Sequence, residues 1–165
     1  MTPDMIEARP LEPGPFAPFG DVLDTRGPPD ILINAGVCGR YHDRASLDVS
    51  DGRAGISLFD AAPRRMPYTV DLLERHPLGS QAFLPLSDHG FLVVVAEDLG
   101  DRPGAIHAFL SQPGQGVNFF RGVWHGVLTP LAAPGRFAVV DRIGPGRNLE
   151  EYRLPRPVTV TGGTS

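Results

Sequence analysis

Apolar residues along this chain come in short alternating runs rather than helical stripes. Ile31-Leu32-Ile33, Gly55 to Phe59, Val70 to His76, Gln81 to Pro85, Phe91 to Ala96, Ile106 to Leu110 and Arg136 to Ile143 each have strand length and are separated by turn residues. No apolar period of about 3.6 residues persists over three turns. The 20 Gly and 18 Pro interrupt the chain too often for long helices. Phe91 to Ala96, uniformly apolar and rich in valine, reads as a central strand, and Glu97-Asp98-Leu99-Gly100 as the turn after it. In Ile106 to Leu110, Ile106, Ala108 and Leu110 alternate against His107 and Phe109, and His107 reads as structural or exposed. The prolines between Arg9 and Phe19 make that stretch an extended or turning lead-in. Beyond Gly144 the chain reads as loop, with residues 161–165 a frayed tail. Eight or so short strands at regular spacing predict an all-β jelly-roll barrel with short helices or loops at its periphery. Residues 1–165 are expected to form one domain, with a core over about 9–155.

Composition narrows the partners. With 41% hydrophobic and 21% charged residues and a formal charge of -4, the chain has no basic run or basic-aromatic interleaving for nucleic acid or an anionic membrane surface. A small molecule is the expected partner. All 15 basic residues are arginine, which excludes Schiff-base lysine chemistry and a phosphate-loop lysine. Cys38, the single cysteine, has no intramolecular disulfide partner and suits a reducing compartment. No apolar run approaches the ~20 residues of a membrane span, and Met1 to Glu7 lacks the character of a signal peptide. The expected location is the cytoplasm.

Three stretches carry candidate chemistry. Gly116 to Leu128, GVNFFRGVWHGVL, places Asn118, Arg121 and His125 among apolar residues. On one extended strand Val123, His125 and Val127 would point one way, and Trp124 and Leu128 the other. An imidazole in an apolar pocket is either a core histidine satisfied by a backbone carbonyl or a functional group. In the second stretch, a strand over Val70 to His76 would set Val70, Leu72, Glu74 and His76 on one face. A short helix over Thr69 to Arg75 would separate Glu74 from His76 instead. Asn34 to Asp43 is the third, with Arg40, Tyr41, His42 and Asp43 able to recognise a carboxylate or simply to populate a surface loop. A barrel mouth gathers inward-facing residues of neighbouring strands, and Glu74, His76, Gln81 and His125 are the candidates for it.

Glu74-x-His76, then Gln81, then His125 on a later strand resembles the metal-binding pattern of cupin barrels with two substitutions. More specifically, the chain resembles the ureidoglycolate lyase family. The blocks that carry the likeness are Phe19-Gly20-Asp21-Val22, Arg40-Tyr41-His42-Asp43, Leu73 to Phe83, Val93 to Ala96, Gly116 to His125 and Val140-Asp141-Arg142, in that order. Where family members often carry a second histidine after the one matching His125, this chain has Gly126, and where they often carry another it has Phe120. Neither position is then essential, though substrate preference and any extra proton relay come into question.

The resemblance implies cleavage of (S)-ureidoglycolate to glyoxylate and urea in allantoin and purine degradation, by a cupin that forms a homodimer. It implies a divalent ion, nickel by family precedent, on Glu74, His76, Gln81 and His125. Manganese, zinc or iron would suit the same mixed donors. A metal-free version uses His76 and His125 for proton transfer, Arg142 or Arg121 for the substrate carboxylate, and Asn118 for the ureido carbonyl. Asp141 would orient a histidine or Arg142. Glu74 and Arg142 could instead form one buried ion pair. The competing functions are a non-catalytic cupin that binds a small 2-oxo or 2-hydroxy acid, and another cupin enzyme such as a sugar isomerase or dioxygenase.

Overall fold

The computed structural model describes residues 4–162. In chain order the elements are β1 (Asp4–Glu7), β2 (Arg9–Pro10), the one-turn helix α1 (Pro13–Phe16), β3 (Gly20–Leu23), β4 (Ile31–Ile33) and β5 (Cys38–Arg40). Then follow β6 (Arg53–Ala61), β7 (Tyr68–Arg75), β8 (Gln81–Pro85), β9 (Phe91–Asp98) and β10 (Pro103–Leu110). The last five are β11 (Gly116–Phe119), β12 (Trp124–His125), β13 (Thr129–Pro130), β14 (Gly135–Ile143) and β15 (Glu150–Thr161). One sheet has the order β1-β15-β7-β12-β9-β10-β2, with β13 also pairing β9. A five-stranded sheet, β3-β11-β8-β14-β6, faces it, and β4 and β5 form a separate hairpin. The expected all-β, cupin-like barrel is present.

β9 shows why the sheets pack as they do. Phe91, Val93 and Val95 join Phe83, Val117, Phe119, Phe137 and Val139 in a core between the two sheets. Leu92, Val94 and Ala96, from the alternate positions, join Val70, Leu73, Trp124 and Val160 in a second core on the other face. A strand apolar on both faces has to be buried on both, and each large side chain so buried contributes about 1.5–3 kcal/mol. β10 keeps the expected alternation, with Phe109 in the first core and Ala108 in the second.

Three expectations change. The chain beyond Gly144 is not loop, because β15 pairs β7 antiparallel and β1 in parallel. Pro155 and Pro157 disguise this strand, and they fall where its register with β7 shifts between Arg153 and Val158, so no ladder donor is lost there. Thr161 belongs to the strand and pairs with Glu7, while residues 163–165 lie outside the described residues. The proline-rich lead-in is extended and turning as expected, and it also buries Leu11, Phe16 and Phe19 in the first core. Val70 does not share a face with Glu74, since Val70 and Leu73 both lie in the second core and the alternation slips between them, opposite the β15 irregularity. Finally, Gly116 to Leu128 is not one strand. β11 belongs to the five-stranded sheet and β12 to the other, and Leu128 packs with Val123 against the first core rather than pointing away with Trp124. The crossing is a tight turn in which Val123 N–H donates to the Phe120 carbonyl and Gly122 takes φ +78, a conformation that favours glycine. Among the described residues no helix is long and apolar enough to cross a membrane.

Candidate active site

The crossing at Gly122 gives one short segment a side chain on each wall of the barrel. Phe119 ends β11 and His125 ends β12, and their rings stack in parallel with centroids 4.3 Å apart. In the ladder His125 lies opposite Glu74 of β7 on one side and opposite Val95 of β9 on the other, so both His125 and Glu74 face the first core. His76 sits one residue past the end of β7, where its carbonyl accepts from the N–H of Gly122. The two imidazole centroids are 5.2 Å apart. One ligand atom from each of Glu74, His76 and His125 lies within 4.8 Å of the others.

Each imidazole is oriented by a backbone carbonyl. His125 Nδ1 lies 2.9 Å from the Gly126 oxygen, and His76 Nδ1 lies 2.7 Å from the Asn148 oxygen. A carbonyl only accepts, so each Nδ1 carries the proton and each Nε2 is left with a lone pair. Both Nε2 atoms are buried and have no hydrogen-bond partner. Two orphaned imidazole acceptors beside a carboxylate make a donor set that fits a divalent cation. Burial, with His76 adding to it, pushes the His125 pKa down to about 3 against a small opposing contribution from the Gly126 carbonyl. Burial raises the Glu74 carboxyl, nearby His76 opposes that, and Glu151 adds to it.

The facing wall comes from the five-stranded sheet. Asp141, Gln81 and Phe119 form one row across β14, β8 and β11, so Gln81 and Asp141 share the inner face with the ring that stacks on His125. Gln81 Nε2 donates to Asp141 Oδ2 at 3.2 Å, and Gln81 Oε1 is buried without a partner. Asp141 therefore orients Gln81, and neither a histidine nor Arg142.

Other expected residues lie apart from this cluster. Arg142, next to Asp141 on β14, points to the opposite face and donates to Asp51 at 2.6 Å, so it is not the ion-pair partner of Glu74. Asn118 likewise faces away from Phe119 and spends its amide hydrogens on Asp21 and the Ser46 carbonyl, each at 3.0 Å. Arg40 and Tyr41 belong to the separate hairpin region, where Arg40 is exposed and Tyr41 donates its hydroxyl to the Gly27 carbonyl at 2.7 Å. Arg121 is the nearer cation. Its Nε donates to the Pro77 carbonyl at 2.7 Å and its Nη1 to Ser50 Oγ at 2.9 Å, with Asp48 at 3.8 Å, so it borders the residue after His76. A surface cleft of about 680 Å³, lined by residues such as Glu12, Asp24, Arg26 and Arg44, is an open hollow with none of the cluster residues in its wall.

Sequence reasoning missed Asn148, Phe119 as a ring partner and the Gly126 carbonyl. Asn148 falls in a stretch with no strand pattern, and a backbone carbonyl leaves no trace in residue identity. Gly126 itself is tightly placed, since a Cβ there would meet Val94 Cβ at 3.3 Å while its N–H donates to the Val94 carbonyl at 2.8 Å.

Comparison with known proteins places the chain in a family. A ureidoglycolate lyase from Rhodobacter capsulatus is 64% identical over 159 residues, 96% of this chain and 98% of that protein. Ureidoglycolate lyase 2 of Rhizobium meliloti is 50% identical over 94% of this chain and 96% of its own length. The enzyme of that name from Mesorhizobium japonicum is 50% identical over 90% and 93%. The family model described as ureidoglycolate lyase matches residues 3–161, nearly the full length, and the chain belongs to the ureidoglycolate lyase family.

Proposed function

We propose that this protein is a carbon–nitrogen lyase that cleaves (S)-ureidoglycolate to glyoxylate and urea, a step of allantoin and purine breakdown. One observation carries the reading. His76 and His125, each held by a carbonyl, share one buried spot with Glu74 in a chain that belongs to this family. The reaction removes the hydroxyl proton, turns that C–O bond into the aldehyde carbonyl, breaks the C–N bond and returns a proton to the departing urea nitrogen. A bare Nε2 suits both transfers in turn, because it accepts the hydroxyl proton and the imidazolium so formed returns that proton to the departing urea nitrogen. The same lone pairs suit metal ligation, and a given Nε2 serves one use at a time.

Charge favours a cation here. Glu74, Glu151 and Asp141 make the walls acidic, and an anionic substrate would be repelled unless positive charge were supplied. Glu74, His76 and His125 would hold a divalent ion, with nickel the proposed metal. Bound there, such an ion supplies Lewis acidity toward hydroxyl and carboxylate oxygens. Arg121, at the border of the cluster, is the proposed second cation for the carboxylate. Phe119 keeps water from one face of His125 and fixes its plane. The test is to incubate purified protein with ureidoglycolate, with nickel or manganese supplied, and assay glyoxylate. Formation above the spontaneous background is expected, and its absence overturns the reading. Elemental analysis of the same preparation identifies the ion.

A cytoplasmic location accompanies this reading, supported by the exposed, unpaired thiol of Cys38. So does a homodimer. On the outer face of the five-stranded sheet Ile56 and Leu58 are 75% and 76% exposed on edge strand β6, close to exposed Leu84 and Leu86, an apolar area that a two-fold copy would cover. Light scattering of the purified protein, and of the variant Leu58→Glu, tests that.

A further inference from the structure

The wall opposite the histidines holds a group that the chemistry so far leaves idle. Gln81 is 6% exposed, and its two amide ends are treated differently. Its NH2 donates to Asp141 Oδ2 at 3.2 Å, while Oε1 is buried with no partner. A carboxylate only accepts, so Asp141 forces the NH2 toward itself and turns the carbonyl oxygen the other way. Without Asp141 the amide could flip at little cost, since nothing else distinguishes its ends. A buried, unpaired carbonyl costs about 1–3 kcal/mol, a cost that persists more readily where a ligand fills the position.

Across the row from Asp141, Gln81 is flanked by Phe119. Gln81 and Phe119 are ladder neighbours on the inner face, and the Phe119 ring stacks on His125, so one aromatic ring separates the amide's strand from the imidazole. We propose that Gln81 Oε1, oriented by Asp141, accepts an N–H from the ureido end of the substrate and so selects for a ureido group at that end. This rests on the lyase reading above. The substrate's two ends then meet different chemistry. Its carboxylate and hydroxyl face the Glu74, His76 and His125 cluster, which favours cation and proton transfer. Its ureido end carries only N–H donors and one carbonyl, and it meets a neutral acceptor. Gln81 is the specificity-determining residue and Asp141 a positioning residue that acts through it. A ligand role for Gln81 on the metal is the distinct alternative, and the experiment separates the two.

Gln81→Ala, Asp141→Asn and Asp141→Glu are compared with the wild type by three measurements: kcat and KM for ureidoglycolate, the inhibition constant of glyoxylate, and bound metal per chain. Glyoxylate keeps the carboxylate and lacks the ureido group. Under the proposal Gln81→Ala lowers kcat/KM for ureidoglycolate about tenfold or more, the size of one buried hydrogen bond, while glyoxylate inhibition and metal content stay within about twofold, a change below ordinary hydrogen-bond worth. Asp141→Asn, whose amide tolerates either orientation of Gln81, produces a smaller loss of the same pattern, and Asp141→Glu restores part of it. Loss of metal from Gln81→Ala, or equal weakening of glyoxylate and ureidoglycolate, overturns the proposal. If Gln81→Ala does not fold, Asp141→Asn decides by the same measurements. A wild type that turns over ureidoglycolate beside a Gln81→Ala variant with unchanged kcat/KM defeats this inference alone. A wild type that forms no glyoxylate defeats the lyase reading and this inference with it.

Discussion

Asn34 to Asp43 and Gly116 to Leu128 carry similar side chains, each with an arginine, a histidine and at least one aromatic residue, and they meet opposite environments. The first is the turn and second strand of the β4–β5 hairpin, where Arg40 is exposed and Tyr41 donates its hydroxyl to the Gly27 carbonyl. The second passes from one sheet to the other, and the pass buries His125 to 1% exposure between the Phe119 ring and Glu74. Water can serve every polar group of the hairpin. Inside the barrel the backbone must do so, and once Gly126 has taken one imidazole nitrogen the other has only a ligand or the substrate left to meet. Reactivity here follows from which partners burial removes, more than from residue type.

That contrast is open to attack from several sides. The largest expected effect is on His125→Ala, which should lower kcat/KM for ureidoglycolate by roughly 10²–10⁴, the usual worth of a proton-transferring group, and should also lower bound metal. Activity within tenfold of the wild type would place the chemistry elsewhere.

A second test uses pH on metal-free protein. His125 has a folded pKa of about 3, whereas in an unfolded chain its pKa is about 6.5. The unfolded state therefore binds more protons between those two values, so the stability present above about 6.5 is lost progressively as pH falls toward about 3. Urea unfolding at a series of pH values measures it. A His125→Gln variant should show a flatter profile over that range, and an equally steep one would assign the acid sensitivity to other groups.

Phe119→Leu keeps an apolar side chain and loses the parallel ring. An aromatic pair is worth about 0.5–1.5 kcal/mol beyond its buried area, so kcat/KM should fall by about two- to tenfold, with His125 still present to bind metal. No change would mean that the ring merely fills space. The smallest effects belong to the hairpin, where Arg40→Ala and Tyr41→Phe should leave kcat/KM within about twofold, as for substitutions away from buried features. A loss of tenfold or more there would bring Arg40 and Tyr41 back into substrate binding.

Much of the scaffold was legible because strand patterns are local. The unbroken apolar run from Phe91 to Ala96 announced a doubly buried strand, and Gln81 to Pro85 matched β8 residue for residue. β15 was hidden because prolines mark a loop as often as a strand irregularity, and only pairing with β7 and β1 tells them apart. The pairing of Glu74 with His125 was reachable from their strand patterns and from the family likeness together. The placement of Arg142 and Asn118 was not, because a face assignment along a strand does not say which face looks into the barrel until the sheets are packed.

By itself the sequence determined the all-β class, most strand positions, the absence of lysine chemistry and the family to which the chain belongs. It also named Glu74, His76, Gln81 and His125. Tertiary structure alone decided that the Asn148 and Gly126 carbonyls would strip each imidazole to one bare nitrogen, that Asp141 would hold Gln81, and that Arg142 would turn to Asp51. The physical reason is that hydrogen bonding and burial depend on which atoms meet across strands distant in the chain, and no local pattern encodes those meetings.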